Sequence, residues 1–163
     1  MRILGIDPGL NVTGYGVIDT DARRVTLVEA GIVRGGTSGA IDQRLKAIFS
    51  GVEEVIAAFG PAAVAIEELY SHYKRPRTAI LMGHARGVIC LAASRADVPV
   101  VHYAATQVKR LLTGNGRAPK SQVQLAICRE LKLKEPPDPP DVADALAIAL
   151  SHHFLRVSAQ ITA

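Results

Sequence analysis

Four acids in this chain stand where chemistry competes with solvation as their explanation. Asp7 closes the apolar run Arg2-Ile3-Leu4-Gly5-Ile6-Asp7 and is followed by Pro8-Gly9. Glu67 closes a second such run, Val64-Ala65-Ile66-Glu67. Asp141 and Asp144 stand three apart at the start of a helical pattern, hence on one helix face, among Val142, Ala143, Ala145, Leu146, Ala147 and Ile148. Acids buried unpaired among apolar groups are costly, and a bound cation removes that cost. Oxygen ligands drawn from separate elements suit magnesium or manganese rather than zinc, and no histidine–cysteine set competes. Each acid also has a plain structural reading. Asp7 can cap a turn, Asp141 can complement a helix dipole, and Asp144 can be a surface charge. Taken singly, the plain reading is the stronger for all but Asp7. Together the four favour a carboxylate cluster, although spacing alone leaves open whether the three segments meet. Glu68 alternates to the other face from Glu67 and reads as solvent-facing. Asp138 reads as a solvated turn residue, and His152 and His153 as structural helix residues.

The elements that must position these acids follow from periodicity. Residues 2–7, Tyr15 to Asp19 and Val25 to Val33 read as three strands of an antiparallel meander, with Gly9, Gly14 and Gly16 as punctuation of the turn into the second. Leu45, Ile48, Phe49, Val52, Ile56 and Phe59 recur at helical spacing up to Gly60-Pro61. Ala62 to Ile66 is a fourth strand and Val98 to His102 a fifth. Thr78 to Ala96 is a helix, apolar or small almost all round, with Gly83 and Gly87 one turn apart. It needs cover on more than one side, at the domain centre or a subunit interface. Shorter helices follow at Ala105–Leu112 and Lys120–Leu131. The prolines of Glu135–Pro140 stop the chain and release it into a last helix from Asp141 to about Arg156. The predicted class is α/β with a five-stranded mixed sheet flanked by helices. One domain spans 1–157, and 158–163 form a short tail.

With 163 residues, 48% hydrophobic and 21% charged, the chain reads as one globular domain and not as a disordered segment. No apolar stretch reaches a bilayer span, no secretory leader is recognisable, and no membrane partner is expected. Cys90 and Cys128 sit singly in helical patterns and read as reduced core thiols, which points to the cytoplasm. Charge is unevenly spread. Between Leu69 and Lys120 there are nine basic residues (Lys74, Arg75, Arg77, Arg86, Arg95, Lys109, Arg110, Arg117, Lys120) and one acid, Asp97, in a chain of net charge +4. A basic centre flanked by acidic ends suits a polyanion gripped beside a cation site; the alternative is a set of solvated helix faces.

The motifs are specific enough to carry a resemblance. Gly5-Ile6-Asp7-Pro8-Gly9 followed by Thr13-Gly14-Tyr15-Gly16 resembles the start of the RuvC family of bacterial Holliday-junction resolvases. Ala65-Ile66-Glu67, Gly83-His84-Ala85-Arg86-Gly87-Val88, Gln107-Val108-Lys109, Lys120-Ser121-Gln122-Val123 and Asp144-Ala145-Leu146-Ala147-Ile148-Ala149 continue it in order, from residue 3 to about 154. The resemblance implies a ribonuclease-H-like fold and a homodimer. It implies a crossover junction endodeoxyribonuclease that resolves four-way DNA junctions in recombination and repair by paired symmetric nicks. It makes Asp7, Glu67, Asp141 and Asp144 the catalytic metal ligands for two divalent ions, Mg2+ or Mn2+, with 5′-phosphate and 3′-hydroxyl ends as products. Lys109 and Lys120 match lysines that face DNA, and Tyr70 matches an aromatic position near the crossover. Lys74, Arg75 and Arg77 belong to an individual basic loop expected to touch DNA. The resemblance also implies cooperation with the branch-migration complex of RuvA and RuvB. The proline-rich lead into Asp141 departs from the family pattern. Rival readings are a sugar kinase or ATPase, which needs two such domains, a related nuclease acting on RNA or hybrids, and a junction-binding module without activity.

Overall fold

A computed structural model of the chain describes residues 1–21, 24–69 and 76–161. Ten elements follow one another: β1 (Arg2–Asp7), β2 (Val12–Thr20), β3 (Val25–Arg34), α1 (Ile41–Phe59), β4 (Ala63–Glu67), α2 (Pro76–Arg95), β5 (Val100–Tyr103), α3 (Ala105–Thr113), α4 (Lys120–Leu131) and α5 (Pro140–Ile161). The strands form one mixed sheet in the order β3-β2-β1-β4-β5. β1 to β3 make the antiparallel meander, and β4 and β5 add in parallel, β4 alongside β1 and β5 alongside β4.

β1 lies at the centre and is covered on both faces, which is why it reads as a continuous apolar run. Leu4 and Ile6 face one core with Val64, Ile66, α1 and α2. Ile3 faces the other with Ala65, Tyr103, α5, α3 and α4. Strand alternation then decides where the terminal acids point. Asp7 shares parity with Ile3, and Glu67 with Ala65, so both face the α5 side.

α1 forms as its periodicity predicts, burying Ile48, Val52 and Ile56 on one stripe and ending at Gly60 in the left-handed conformation (φ 54°), whose N–H donates to the Ile56 carbonyl. Several boundaries differ from expectation. β2 starts at Val12 rather than Tyr15, so Gly14 and Gly16 lie inside the strand and not in a turn. α2 begins two residues earlier, at Pro76. α5 begins at Pro140, where proline is tolerated because a first-turn N–H has no helical acceptor, and it runs on to Ile161, through most of the expected tail.

Gly14 and, on β1, Gly5 have a packing role. In β2, a Cβ on Gly14 would collide with the Asp141 carbonyl and lie 2.9 Å from the Asp141 Cβ; on β1, a Cβ on Gly5 would collide with Ala145 and lie 2.8 Å from the Ala149 Cβ. The α5 backbone therefore rests directly on β1 and β2, a distance that larger residues forbid. Val142, Ala143, Ala145, Leu146, Ala147, Ile148, Ala149 and Leu150 are all at most 5% exposed as a result.

Candidate active site

The fold brings the four acids to one end of the sheet. β1 and β4 run parallel in a register that pairs Ile6 with Ile66, so Asp7 and Glu67 follow at equivalent heights on neighbouring strands. Asp7 is paired with Gly14 across β1 and β2, and Gly14 is the residue against which Asp141 is pressed. Asp144, one turn further along α5, lines a cleft of about 270 Å³ together with Glu67, Lys109, Lys120, Val108 and Ile148. All four acids are half-buried.

Their mutual field is visible in their proton affinities. Burial pushes the Asp7 carboxyl up, the charges of Glu67, Asp144 and Asp141 push it further, and Lys120 only partly offsets them, leaving it at about 8. Glu67 is raised as well, by burial and by Asp144, against the opposing charges of Arg86 and Lys109. Lys120 Nζ donates to Asp144 Oδ2 at 2.8 Å, and this hydrogen bond raises the lysine's pKa against the effect of burial. Burial and repulsion that together hold a proton on a carboxylate at neutral pH mark a place short of positive charge.

The donor set fits a hard divalent cation, being all carboxylate oxygen. Among the described residues, no group of three or more His, Cys, Asp or Glu side chains is drawn together tightly enough to hold an ion as they stand. Asp144 is turned to the Lys120 ammonium. An ion held by these acids would need Asp144 turned away from Lys120.

The other expected site residues divide. Lys109 and Lys120 both line the cleft. Arg77 is exposed at the start of α2. Tyr70, Lys74 and Arg75 lie outside the described residues. Glu68 and Asp138 are exposed, as expected. His152 and His153 are buried, with His152 Nδ1 2.8 Å from the Tyr103 hydroxyl, a link between α5 and β5. Cys90 and Cys128 are free and half-buried. Arg86 escaped the sequence reading as a site residue: Nη2 lies 2.7 Å from His102 Nδ1, and its charge reaches Glu67. The signal was its place inside Gly83–Val88, a motif otherwise read for its glycines.

The sheet order, with one helix laid across its centre and acids converging at one end, defines a ribonuclease-H-like protein with a cation-attracting site. The profile of the family described as crossover junction endodeoxyribonuclease RuvC matches residues 3–152. A relative of that name from Rhodopirellula baltica is 58% identical over 153 residues, covering 94% of this chain and 86% of its own; one from Desulforamulus reducens is 43% identical and covers 93% of each. The solved structure of Thermus thermophilus RuvC in complex with a Holliday junction substrate superposes with a TM-score of 0.92 at 39% identity, covering 98% of this chain and 96% of the other. The chain belongs to the RuvC family of crossover junction endodeoxyribonucleases, hydrolases that cut DNA at crossover junctions.

Proposed function

We propose that this chain resolves four-way DNA junctions in recombination and repair with Asp7, Glu67, Asp141 and Asp144 as its metal-holding catalytic acids. One observation carries the reading: Glu67, Asp141 and Asp144 converge on Asp7, whose carboxyl is pushed up to about 8 by burial and then by those three charges. Nucleases of this family depend on divalent metal in general; for this chain we propose two ions per site, magnesium or manganese. When bound, they would supply the charge that lets water attack a phosphodiester near neutral pH and that offsets the charge on the leaving 3′ oxygen.

The chain's own groups do the rest. Asp7, on the central strand, lies beside Glu67 on β4 and, across Gly14, beside Asp141, so it would hold metal together with either. Lys120, once Asp144 turns away, carries a free ammonium at the cleft to offset negative charge building on the phosphate. Lys109 adds a second cation on the same wall and draws the strand in by phosphate contact. Bond cleavage on the 3′-oxygen side leaves 5′-phosphate and 3′-hydroxyl ends.

Paired symmetric nicks need two sites related by a twofold axis. The face of α2 offers the surface for a homodimer: Ile80 is 62% and Leu91 53% exposed, His84 and Gly87 lie on the same stripe, and a Cβ on Gly87 would meet nothing within 4 Å. Tyr70, by resemblance, stacks on a base at the crossover, and Lys74, Arg75 and Arg77 grip phosphates nearby. RuvA and RuvB are the proposed branch-migration partners. Among the described residues no helix is long and apolar enough to cross a membrane, and a chromosomal DNA substrate supports action in the cytoplasm.

Cleavage of a synthetic four-way junction with magnesium, run beside an RNA–DNA hybrid duplex and a metal-free control, tests the reading. Paired nicks in the junction alone, lost without metal, are expected. Preferential hybrid cleavage, or binding without cleavage, overturns it.

A further inference from the structure

A second groove, of about 490 Å³, opens beside Asp141 away from Lys109 and Lys120; Gly9, Asn11, Arg44, Thr78 and Met82 line it with that acid. Asp144 and Glu67 line the first cleft and Asp141 the second, so the two depressions meet at the acid cluster.

Arg44 is the unusual residue here. It stands in the first turns of α1, where the helix dipole disfavours a cation. Its Nη2 donates to Asn11 Oδ1 and to the Gly36 carbonyl at 2.6 Å, and its Nε to the Gly35 carbonyl at 3.4 Å. Every one of these acceptors is neutral. Among the described residues no carboxylate lies within ion-pair distance of Arg44, and Nη1 has no hydrogen-bond partner. A clamp on two carbonyls and an amide needs donors but no net charge. Because Asn11 Oδ1 accepts from Arg44, its amide N–H groups point away and stay available. Thr78 adds an exposed hydroxyl. The groove thus presents donors and one uncompensated positive charge beside the site of cleavage.

An endonuclease must hold its strand on both sides of the cut. Lys109 and Lys120 serve one side. We infer that the Asn11–Arg44–Thr78 groove is a phosphate subsite for the scissile strand on the other side, with Arg44 as its anchoring cation. The inference rests on the junction-nuclease reading. Arg44 also ties the turn after Asp7 to α1, since its Nη2 donates to Asn11 Oδ1 in that turn.

The test measures junction binding in EDTA across a salt series for wild type, Arg44→Gln and Thr78→Glu. The second variant sets a carboxylate in the groove at a helix start that favours it, and leaves the clamp intact. Both are expected to bind about tenfold more weakly, and Arg44→Gln to lower the salt slope by about 0.7–0.9, the value of one phosphate. Scanning single methylphosphonates through the scissile strand should find one position, across the cut from the Lys109–Lys120 side, that weakens wild type and leaves Arg44→Gln unaffected. Binding within twofold of wild type at an unchanged slope overturns the subsite, as does a scan in which no position distinguishes the two proteins. If Arg44→Gln loses cooperative unfolding, Thr78→Glu alone decides. A wild type that binds junctions without cutting them sinks the nuclease reading instead, and the binding comparison still judges the groove.

Discussion

Helices α2 and α5 are of similar length, 20 and 22 residues, and both look in sequence like interior helices. Their fates differ. From Val142 to Leu150 all of α5 except Asp144 is buried, because glycines on β1 and β2 let its backbone lie against the sheet. α2 buries only Ala85, Ile89, Ala92 and Ala93 and leaves Ile80 and Leu91 in solvent. Glycine works oppositely in the two settings. Gly5 and Gly14 are filled by α5, whereas the space over Gly87 is open. An apolar helix whose small-residue contacts are satisfied within the chain is core. One whose small residues face outward, beside exposed leucine and isoleucine, is an apolar surface that a partner can cover. The first kind holds two of the proposed catalytic acids, and the second is the surface proposed for a homodimer.

The two roles separate experimentally, and the largest effect belongs to the acids. Asp7→Asn should reduce junction cleavage by more than about 10³-fold while leaving binding within a few-fold, measured by nicking assay and gel shift. Cleavage near the wild-type rate would remove Asp7 from the metal site. Next is Lys120→Ala, expected to lower the cleavage rate about 10²-fold at unchanged dimer content. A loss of binding alone would make Lys120 a DNA anchor and not a catalytic group.

On the other helix, Leu91→Glu should convert a dimer to a monomer in sedimentation at micromolar concentration, with paired nicking falling about tenfold and thermal stability held. A wild type that sediments as a monomer would undo the contrast between α2 and α5.

The smallest effect concerns stability. The folded protein keeps the Asp7 proton up to about pH 8, whereas an unfolded carboxylate releases it near 3.8. The folded state therefore holds the extra proton across that window, and its stability falls as pH rises through it. In metal-free buffer Asp7→Asn should raise the melting midpoint at pH 8 by about 3 °C, with no gain at pH 4. Magnesium should release a proton on binding wild type near pH 7, read by calorimetry in two buffers. Equal midpoint shifts at both pH values would contradict the crowded-carboxylate picture.

Much of the site was legible before any coordinates. Asp7 and Glu67 each follow an apolar strand run, and strand parity alone predicts which face such a residue takes. Asp141 and Asp144 share a face by their spacing. Periodicity also located α3, α4 and the end of α1 almost to the residue. Gly14 and Gly16 misled, because glycine in a short-range reading signals a turn, and only a helix packed from 130 residues away reveals a close approach. Arg44 went unnoticed as a functional residue, since its charge has meaning only beside Asn11 and the carbonyls that aim it.

The sequence by itself determined the elements, the parity of the acids and the family, all of which depend on local periodicity or on an ordered string of motifs. Tertiary structure alone decided that β1 and β4 lie parallel as neighbours, and that α5 rests on Gly5 and Gly14 to bring Asp141 to Asp7. It also decided that Lys120 reaches Asp144. These are contacts between residues far apart along the chain, set by which faces bury one another, and no local pattern encodes such a pairing.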